Sequence, residues 1–436
     1  MTARLRLLPL WVALPYLLIT WLLFLVGPYV WPVRAWWAIW IYIPVAFACL
    51  AFGFTHGSKG EPRGEGMPKA KWLFYVGSIG ALLLLIPTTL TYTGKLPWAL
   101  GGALDQREAY AALADQLAAT AGGRGPIALL RALLGPFVFC VIPMAVLLWK
   151  TPNQRMTWLE RALAIATGII AIDLSLLRGT TAQLADLLIV IASAVLIRLT
   201  LHSRGAGLTA VFRHWKLALS GAVLLSMVVL VLVGRTEARL GGRNIGCIER
   251  SGVCADLSTG AYGRMPESVA FGAAAVSGYF SQGYYGVALA AEKPWLPTWG
   301  AGHSPVAGTL FVMFGGKEQF LNRTYTSRAR AEGWPDDTQW SSLITWLAND
   351  ASLWGALALL WGLGWLWGRT WIDASQAGDL RAAVLFCVLS MVIFYLPANN
   401  YVMGTYDAYA TLIVWWVLWG WGRGRRSSSE AYARSL

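Results

Sequence analysis

The sequence predicts an all-α polytopic membrane protein, on three observations. Hydrophobic residues make up 57% of the 436 residues and charged residues 13%, with a mean hydropathy of +0.53. The apolar residues fall in runs of about 20, the length a helix needs to cross a bilayer core. Lys and Arg collect between these runs, so the formal net charge of +13 belongs to topology and anionic lipid rather than to nucleic acid.

About ten spans follow, at 9–31, 34–54, 72–94, 127–149, 158–177, 180–200, 217–234, 342–366, 382–397 and 407–422. They divide the chain into seven transmembrane helices with short loops (1–234), one large outer loop (235–341), and three further helices with a basic tail (342–436). The first run begins after Arg4 and Arg6 and so imitates a signal peptide. It is too long for one, holds Trp11 and Trp21, and lacks a small-x-small cleavage site, so it reads as an uncleaved span. With the N-terminus inside, the inner segments carry clusters such as Lys59, Arg63, Lys69 and Lys71, or Arg198, Arg204, Arg213 and Lys216. The short outer segments carry scattered cations such as Arg34, Lys95, Arg107 and Arg178, and this bias places both termini in the cytoplasm.

Two outer loops are substantial. In Lys95 to Pro126, the stretch "DQREAYAALADQLAATAGG" predicts a short surface helix ended by Gly122 and Gly123. The large loop contains two apolar stretches, Ser268 to Ala291 and Val306 to Phe314, broken by Gly, Ser and Gln. They predict re-entrant or interfacial helices, which are tolerated where protein or a wet cavity covers the backbone. No internal repeat is apparent, which counts against a transporter built from paired halves.

Of five cysteines, Cys49, Cys140 and Cys387 lie in apolar runs and read as small buried hydrophobes. Cys247 and Cys254 bracket "CIERSGVC" in a segment outside the membrane, where oxidation is permitted, and are expected to form a disulfide.

Ionisable groups inside spans cost about 2.5 to 3.5 kcal/mol each on insertion, which makes them functional candidates. Asp173, Arg178, Asp186 and Asp350 all fall in the outer halves of spans. One reading is structural: Asp173 or Asp186 pairs with Arg178 to lock two helices. The other is chemical. Arg178 opens "RGTTAQLADLL", where Gly179 admits close backbone approach and two threonines donate hydrogen bonds, a setting in which a guanidinium clamps pyrophosphate or else snorkels to lipid phosphate.

In "YFSQGYYG", Tyr279, Phe280, Tyr284 and Tyr285 surround Gln282, a composition that fits a sugar-binding face or an interfacial aromatic belt. His303 in "GAGHSP" is the one outer histidine, and serves either as a general base for a sugar hydroxyl or as a structural group. Arg323, Arg328 and Arg330, followed by Asp336 and Asp337, form a charged segment, which reads as a solvated loop or as an attractor of an anionic donor. No spacing of His, Cys or carboxylates predicts a metal site, and no P-loop or dinucleotide fingerprint predicts a cofactor.

With these residues in view, the chain resembles the O-antigen polymerases, the oligosaccharide repeat-unit polymerases of bacterial envelopes. The resemblance rests on the order of "LRGTTAQLADLLIVI", "YFSQGYYGVALA", "GAGHSP" and "QWSSLITWLANDASLWG", from mid-chain to span eight; the first 170 residues match only as apolar spans. It implies a GT-C-like glycosyltransferase of the bacterial inner membrane, metal-independent and usually inverting, with the large loop in the periplasm. Such an enzyme joins undecaprenyl-pyrophosphate-linked glycans and releases undecaprenyl pyrophosphate. Its implied partners are that donor and acceptor, membrane lipids, a flippase and a chain-length regulator. By position in these motifs, Arg178, Gln282, Tyr284, Tyr285, His303, Trp340 and Asp350 become site candidates.

Because pyrophosphate is already a good leaving group, arginines that stabilise its charge supply most of the catalysis such a reaction needs. Arg178 with Arg323 or Arg328 is assigned to pyrophosphate and His303 or Asp350 to the acceptor, while Arg323, Arg328 and Arg330 as a row would attract the anionic donor. Three rivals stand beside this reading. An O-antigen ligase shares architecture and donor but uses a lipid A core acceptor. A polyprenyl-phosphate-sugar transferase of the usual kind would carry an acidic residue in the first outer loop, and Gly27 to Arg34 has none. A transporter or flippase would show repeats or broken spans in matching positions.

Overall fold

Apolar runs with few helix breakers fold into helices wherever lipid replaces water, because only then are all backbone groups satisfied locally. The computed structural model describes residues 3–64, 71–99, 125–149, 156–202, 247–248, 251–258, 260–336 and 339–435, and among these it is helical, with two isolated β-bridges and no strand. The principal helices are α1 (Leu8–Val26), α2 (Ile43–Lys59), α3 (Lys71–Thr93), α4 (Gly125–Leu148), α5 (Trp158–Leu177) and α6 (Ala182–His202). After α7 (Glu267–Ser281), α8 (Gly283–Ala291) and α9 (Pro305–Met313) in the segment 235–341 come α10 (Leu343–Ile372), α11 (Leu380–Tyr395) and α12 (Tyr406–Ser435).

Six helical stretches are long and apolar enough to cross a membrane: α1, Ala38–Lys59, α3, α4, Ala182–Leu201 and Leu343–Ala377. They coincide with the first four, the sixth and the eighth expected spans. Helices also occupy the fifth, ninth and tenth positions, but α5 carries Glu160, Arg161 and Asp173, and α11 has 16 residues. The expected span at 217–234 and the surface helix in 95–126 lie outside the described residues. In the segment 235–341, the stretch from Ser268 to Ala291 is divided at Gln282 into two short helices, and the second stretch forms α9.

Among the described residues, α2 and α10 pack closely through two Gly-x-x-x-Gly pairs. A Cβ on Gly53 would lie 1.9 Å from the Trp361 carbonyl oxygen, and one on Gly57 2.1 Å from that of Trp365. Reciprocally, Gly364 faces the Leu50 carbonyl and Gly368 that of Phe54. Four missing side chains thus let two helix backbones touch, the arrangement that drives helix association where lipid supplies no hydrophobic force.

At the end of this pair sits Asp373, fully buried. Its carboxylate accepts from the Arg63 amide at 2.9 Å, Arg369 at 3.1 Å, the Trp419 indole at 3.1 Å and Arg423 at 2.5 Å, so one charge ties together the end of α2, α10 and α12. At the opposite end, Cys247 and Cys254 are disulfide-bonded. Their hairpin docks on the α1–α2 connection through Val30 N–H to the Cys254 carbonyl and Asp256 N–H to the Pro28 carbonyl.

Candidate functional site

Helix α10 is not continuous: Ser352 has φ 63° and ψ 171°, a conformation costly for a residue with a side chain. The break lies two residues after Asp350 and aims that carboxylate at the Gly-rich loop 298–304. Its Oδ1 accepts from the amides of Gly300 and Gly302, both at 2.9 Å, with the Thr298 hydroxyl 2.5 Å away. Its Oδ2 accepts from the His303 amide at 2.8 Å and the His303 ring Nδ1 at 3.0 Å. Successive amides curled round an anion form a nest, and the sequence builds it with glycine for two reasons. Gly300 has φ +81°, and a Cβ on Gly302 would strike the Thr298 hydroxyl at 2.3 Å.

An ionised carboxylate only accepts, so Asp350 assigns the proton of His303 to Nδ1 and leaves Nε2 as the ring's acceptor. Nε2 lies 2.7 Å from the Tyr409 hydroxyl. The rest of the loop is braced: Asn349 bonds the Gly302 carbonyl at 2.8 Å and the Tyr325 amide at 2.7 Å, and Asn400 bonds the His303 carbonyl at 2.6 Å. Ser304 caps α9, and its hydroxyl also reaches the Met403 carbonyl.

Two residues before Tyr409, Asp407 faces a different space. A cavity of about 280 Å³ is lined by Arg131, Arg178, Gln183, Asp186, Tyr401 and Asp407 among others. Arg178 caps the C-terminus of α5, and Gly179 (φ +58°) turns the chain into α6. Its guanidinium lies 5.2 Å from the centre of the Tyr92 ring, and Arg131 lies 5.4 Å from the same ring. Arg131 is bound by Asp407 through Nε at 3.2 Å and through Nη2. Arg178 has no such carboxylate: its buried Nε lacks a hydrogen-bond partner, and no ion pair joins it to Asp173 or Asp186 among the described residues. Asp186 instead accepts from the Tyr395 hydroxyl at 2.9 Å. Arg178 and Asp186 thus line one cavity without a direct ion pair between them.

The structure brings His303 and Asp350 together and holds Arg178 apart from them, on the cavity side of the α12 start. It also reassigns several candidates. Asp350 has two N–H donors on each oxygen and is 13% exposed, so it positions His303 and has no free lone pair with which to take an acceptor proton. Tyr284 and Tyr285 are core groups rather than a sugar platform. Tyr284 is fully buried and bonds Thr20 at 2.8 Å, and Tyr285 packs edge-on against Trp334. Trp340 meets the Tyr279 ring edge-on at 4.4 Å between centroids, half-buried, and Gln282 stands at the break between α7 and α8.

Arg328 is spent inside its own loop, on the Thr324 and Pro294 carbonyls and over the Tyr325 ring, and burial lowers its pKa. Arg330 pairs with Asp336. Arg323 differs, for it lies over the Trp299 ring at 4.4 Å, next to the loop that holds His303. Of the three arginines in this segment, Arg323 is the one stacked on a residue of the 298–304 loop; Asp337 lies outside the described residues.

Sequence reasoning overlooked Arg131, Asp407 and Tyr409. Arg131 and Asp407 each carry a charge at the edge of an apolar run, the same signal that marked Arg178. Tyr409 gives no such signal, being an aromatic at a span start and 106 residues from His303. Among the described residues no group of His, Cys and carboxylates fits a metal ion. No family model matches the chain, and no curated protein or solved structure shows significant similarity to it.

Proposed function

We propose that this chain is a ten-span, GT-C-like glycosyltransferase of the bacterial inner membrane, with both termini in the cytoplasm. It polymerises undecaprenyl-pyrophosphate-linked oligosaccharide repeat units at the periplasmic face. The observation that carries the proposal is the adjacency at the start of α12: a cavity with two arginines on one side, and a histidine oriented by a carboxylate on the other.

The chemistry asks for these two parts. An acceptor sugar hydroxyl loses its proton toward His303 as its oxygen bonds to the anomeric carbon of the donor. The bond from that carbon to the pyrophosphate oxygen breaks, and the leaving group departs with the electron pair. Arg178, and Arg131 once Asp407 releases it, meet the charge that grows on pyrophosphate. Fixed donors in a site of low dielectric stabilise such charge far better than water does. Asp350 stabilises the imidazolium that forms. Arg323, beside the histidine loop, attracts the anionic donor.

The ligase alternative uses the same donor and site and differs in its acceptor. Deletion of the gene in its host tests the proposal. The expected result is surface glycan reduced to a single repeat unit, with the ladder of longer chains restored by the wild-type gene and not by Arg178→Ala. A ladder that persists in the deletion strain contradicts the polymerase reading. Loss of all ligated glycan, single units included, points to the ligase.

A further inference from the structure

We infer that Tyr409 is the third member of a relay, Asp350–His303–Tyr409, and that its hydroxyl, rather than the imidazole, is the group that touches the acceptor. The inference rests on the reading of His303 as the base. His303 has two ring nitrogens and both are engaged. Nδ1 is held by Asp350 at 3.0 Å and Nε2 by the Tyr409 hydroxyl at 2.7 Å. No lone pair on the ring is left for a substrate proton, so the imidazole exchanges protons through Tyr409.

The surrounding contacts keep the pair fixed. The amide and carbonyl of His303 are bonded to Asp350 and Asn400, which holds the ring in place. On the other side, α12 is anchored one residue pair away by Asp407 on Arg131, and its Thr411 hydroxyl bonds the Asp407 carbonyl at 2.6 Å. Tyr409 is half-buried and the His303 side chain is 25% exposed. Neither side chain is sealed in the core.

In the reaction the acceptor O–H proton passes to the Tyr409 oxygen as the Tyr409 proton passes to His303 Nε2. The phenol is regenerated, the imidazolium is paired with the Asp350 carboxylate, and the acceptor oxygen is free to bond carbon. Returning the proton from His303 to the departing pyrophosphate or to water resets the relay. A tyrosine between base and substrate obeys the same logic as any nucleophile–base–orienter set: two hydrogen bonds in series, with the orienter fixing the tautomer.

Two measurements test this. The first needs no substrate. The purified protein in detergent is treated with diethyl pyrocarbonate, and the modification rates of His303 and of exposed His56 are followed by peptide mass spectrometry. In wild type, His303 should react more slowly than His56. Tyr409→Phe should raise the His303 rate about fivefold, the factor carried by one lost hydrogen bond, and leave His56 unchanged. Equal His303 rates in the two proteins overturn the contact. Should Tyr409→Phe not fold, a wild-type His303 that reacts as fast as His56 overturns it as well.

The second measurement is chain extension from lipid-linked repeat units. Tyr409→Phe should lower kcat by about 10²- to 10⁴-fold, as loss of a general acid–base group does, with the acceptor KM within about threefold, since a phenol that relays a proton contributes to the transition state rather than to binding. Wild-type kcat in Tyr409→Phe overturns the relay. If wild type extends no chains, it is the polymerase reading that fails, and the carbethoxylation rates still decide whether Tyr409 guards His303.

Discussion

Asp350→Asn removes one charge and changes almost no volume, so its effect isolates the hydrogen bonds. Oδ1 accepts from the Gly300 and Gly302 amides and Oδ2 from the His303 amide and ring. Whichever oxygen becomes the amide nitrogen, two N–H donors lose their acceptor and face another N–H. Each stranded donor costs about 1 to 3 kcal/mol, so about 2 to 6 kcal/mol is at stake before the loop relaxes. The substitution should release the 298–304 loop and let the His303 ring adopt the other tautomer. Three assays follow: thermal unfolding in detergent, proteolysis of the loop, and chain extension. The melting temperature should fall, cleavage between Trp299 and Ser304 should speed up, and activity should drop by at least about 10²-fold. Native melting and native activity in Asp350→Asn would refute the reasoning that this carboxylate builds the site.

Other expectations use the same contacts. Arg178→Lys keeps the charge and loses the planar fork, and activity should fall by about 10²- to 10³-fold while the protein still inserts; near-normal chain extension by Arg178→Ala would move the pyrophosphate to Arg131 and Arg323. Gly364→Leu places a branched side chain against the Leu50 carbonyl, where Gly leaves no room; overpacking of about 1 to 3 kcal/mol or more should lower the melting temperature, and unchanged melting would count against the α2–α10 contact. Cys247→Ser with Cys254→Ser should cost about 2 to 3 kcal/mol for so short a loop, read as earlier unfolding matched by wild type in reductant. Reporter fusions after Lys59 and Ser203 should report cytoplasm and one at Gly260 periplasm; a cytoplasmic signal at Gly260 would invert every assignment made for the outer loop.

The helices were legible because bilayer length and hydropathy are one-dimensional properties, readable from runs of residues. The α2–α10 contact went unread, because hydropathy passes over Gly53-x-x-x-Gly57 and Gly364-x-x-x-Gly368, whose meaning appears only when the two helices are seen to touch. At the site, the "GAGHSP" loop could be marked as a chemical candidate because His303 is the one histidine in the segments read as outer, and an imidazole can exchange protons near neutral pH. Its partner Asp350 stood out as a carboxylate inside an apolar run. What a sequence does not carry is which partners meet across 47 or 106 residues, so Tyr409 stayed hidden and Asp350 could not be told from a base. Tyr284 and Tyr285 misled for a physical reason: the same amphipathic ring that suits a sugar also suits a core, provided its hydroxyl finds a partner such as Thr20.

Transfer between two lipid-linked glycans is open to reconstitution. Purified protein in liposomes, given only undecaprenyl-pyrophosphate-linked repeat units in chelator, should yield a ladder of lipid-linked oligomers. One undecaprenyl pyrophosphate should be released for each bond formed, and Arg178→Ala should stop both. Wild-type protein that leaves the repeat units unjoined and releases no undecaprenyl pyrophosphate, with a chain-length regulator and a lipid A core acceptor also supplied, is not a transferase of this kind.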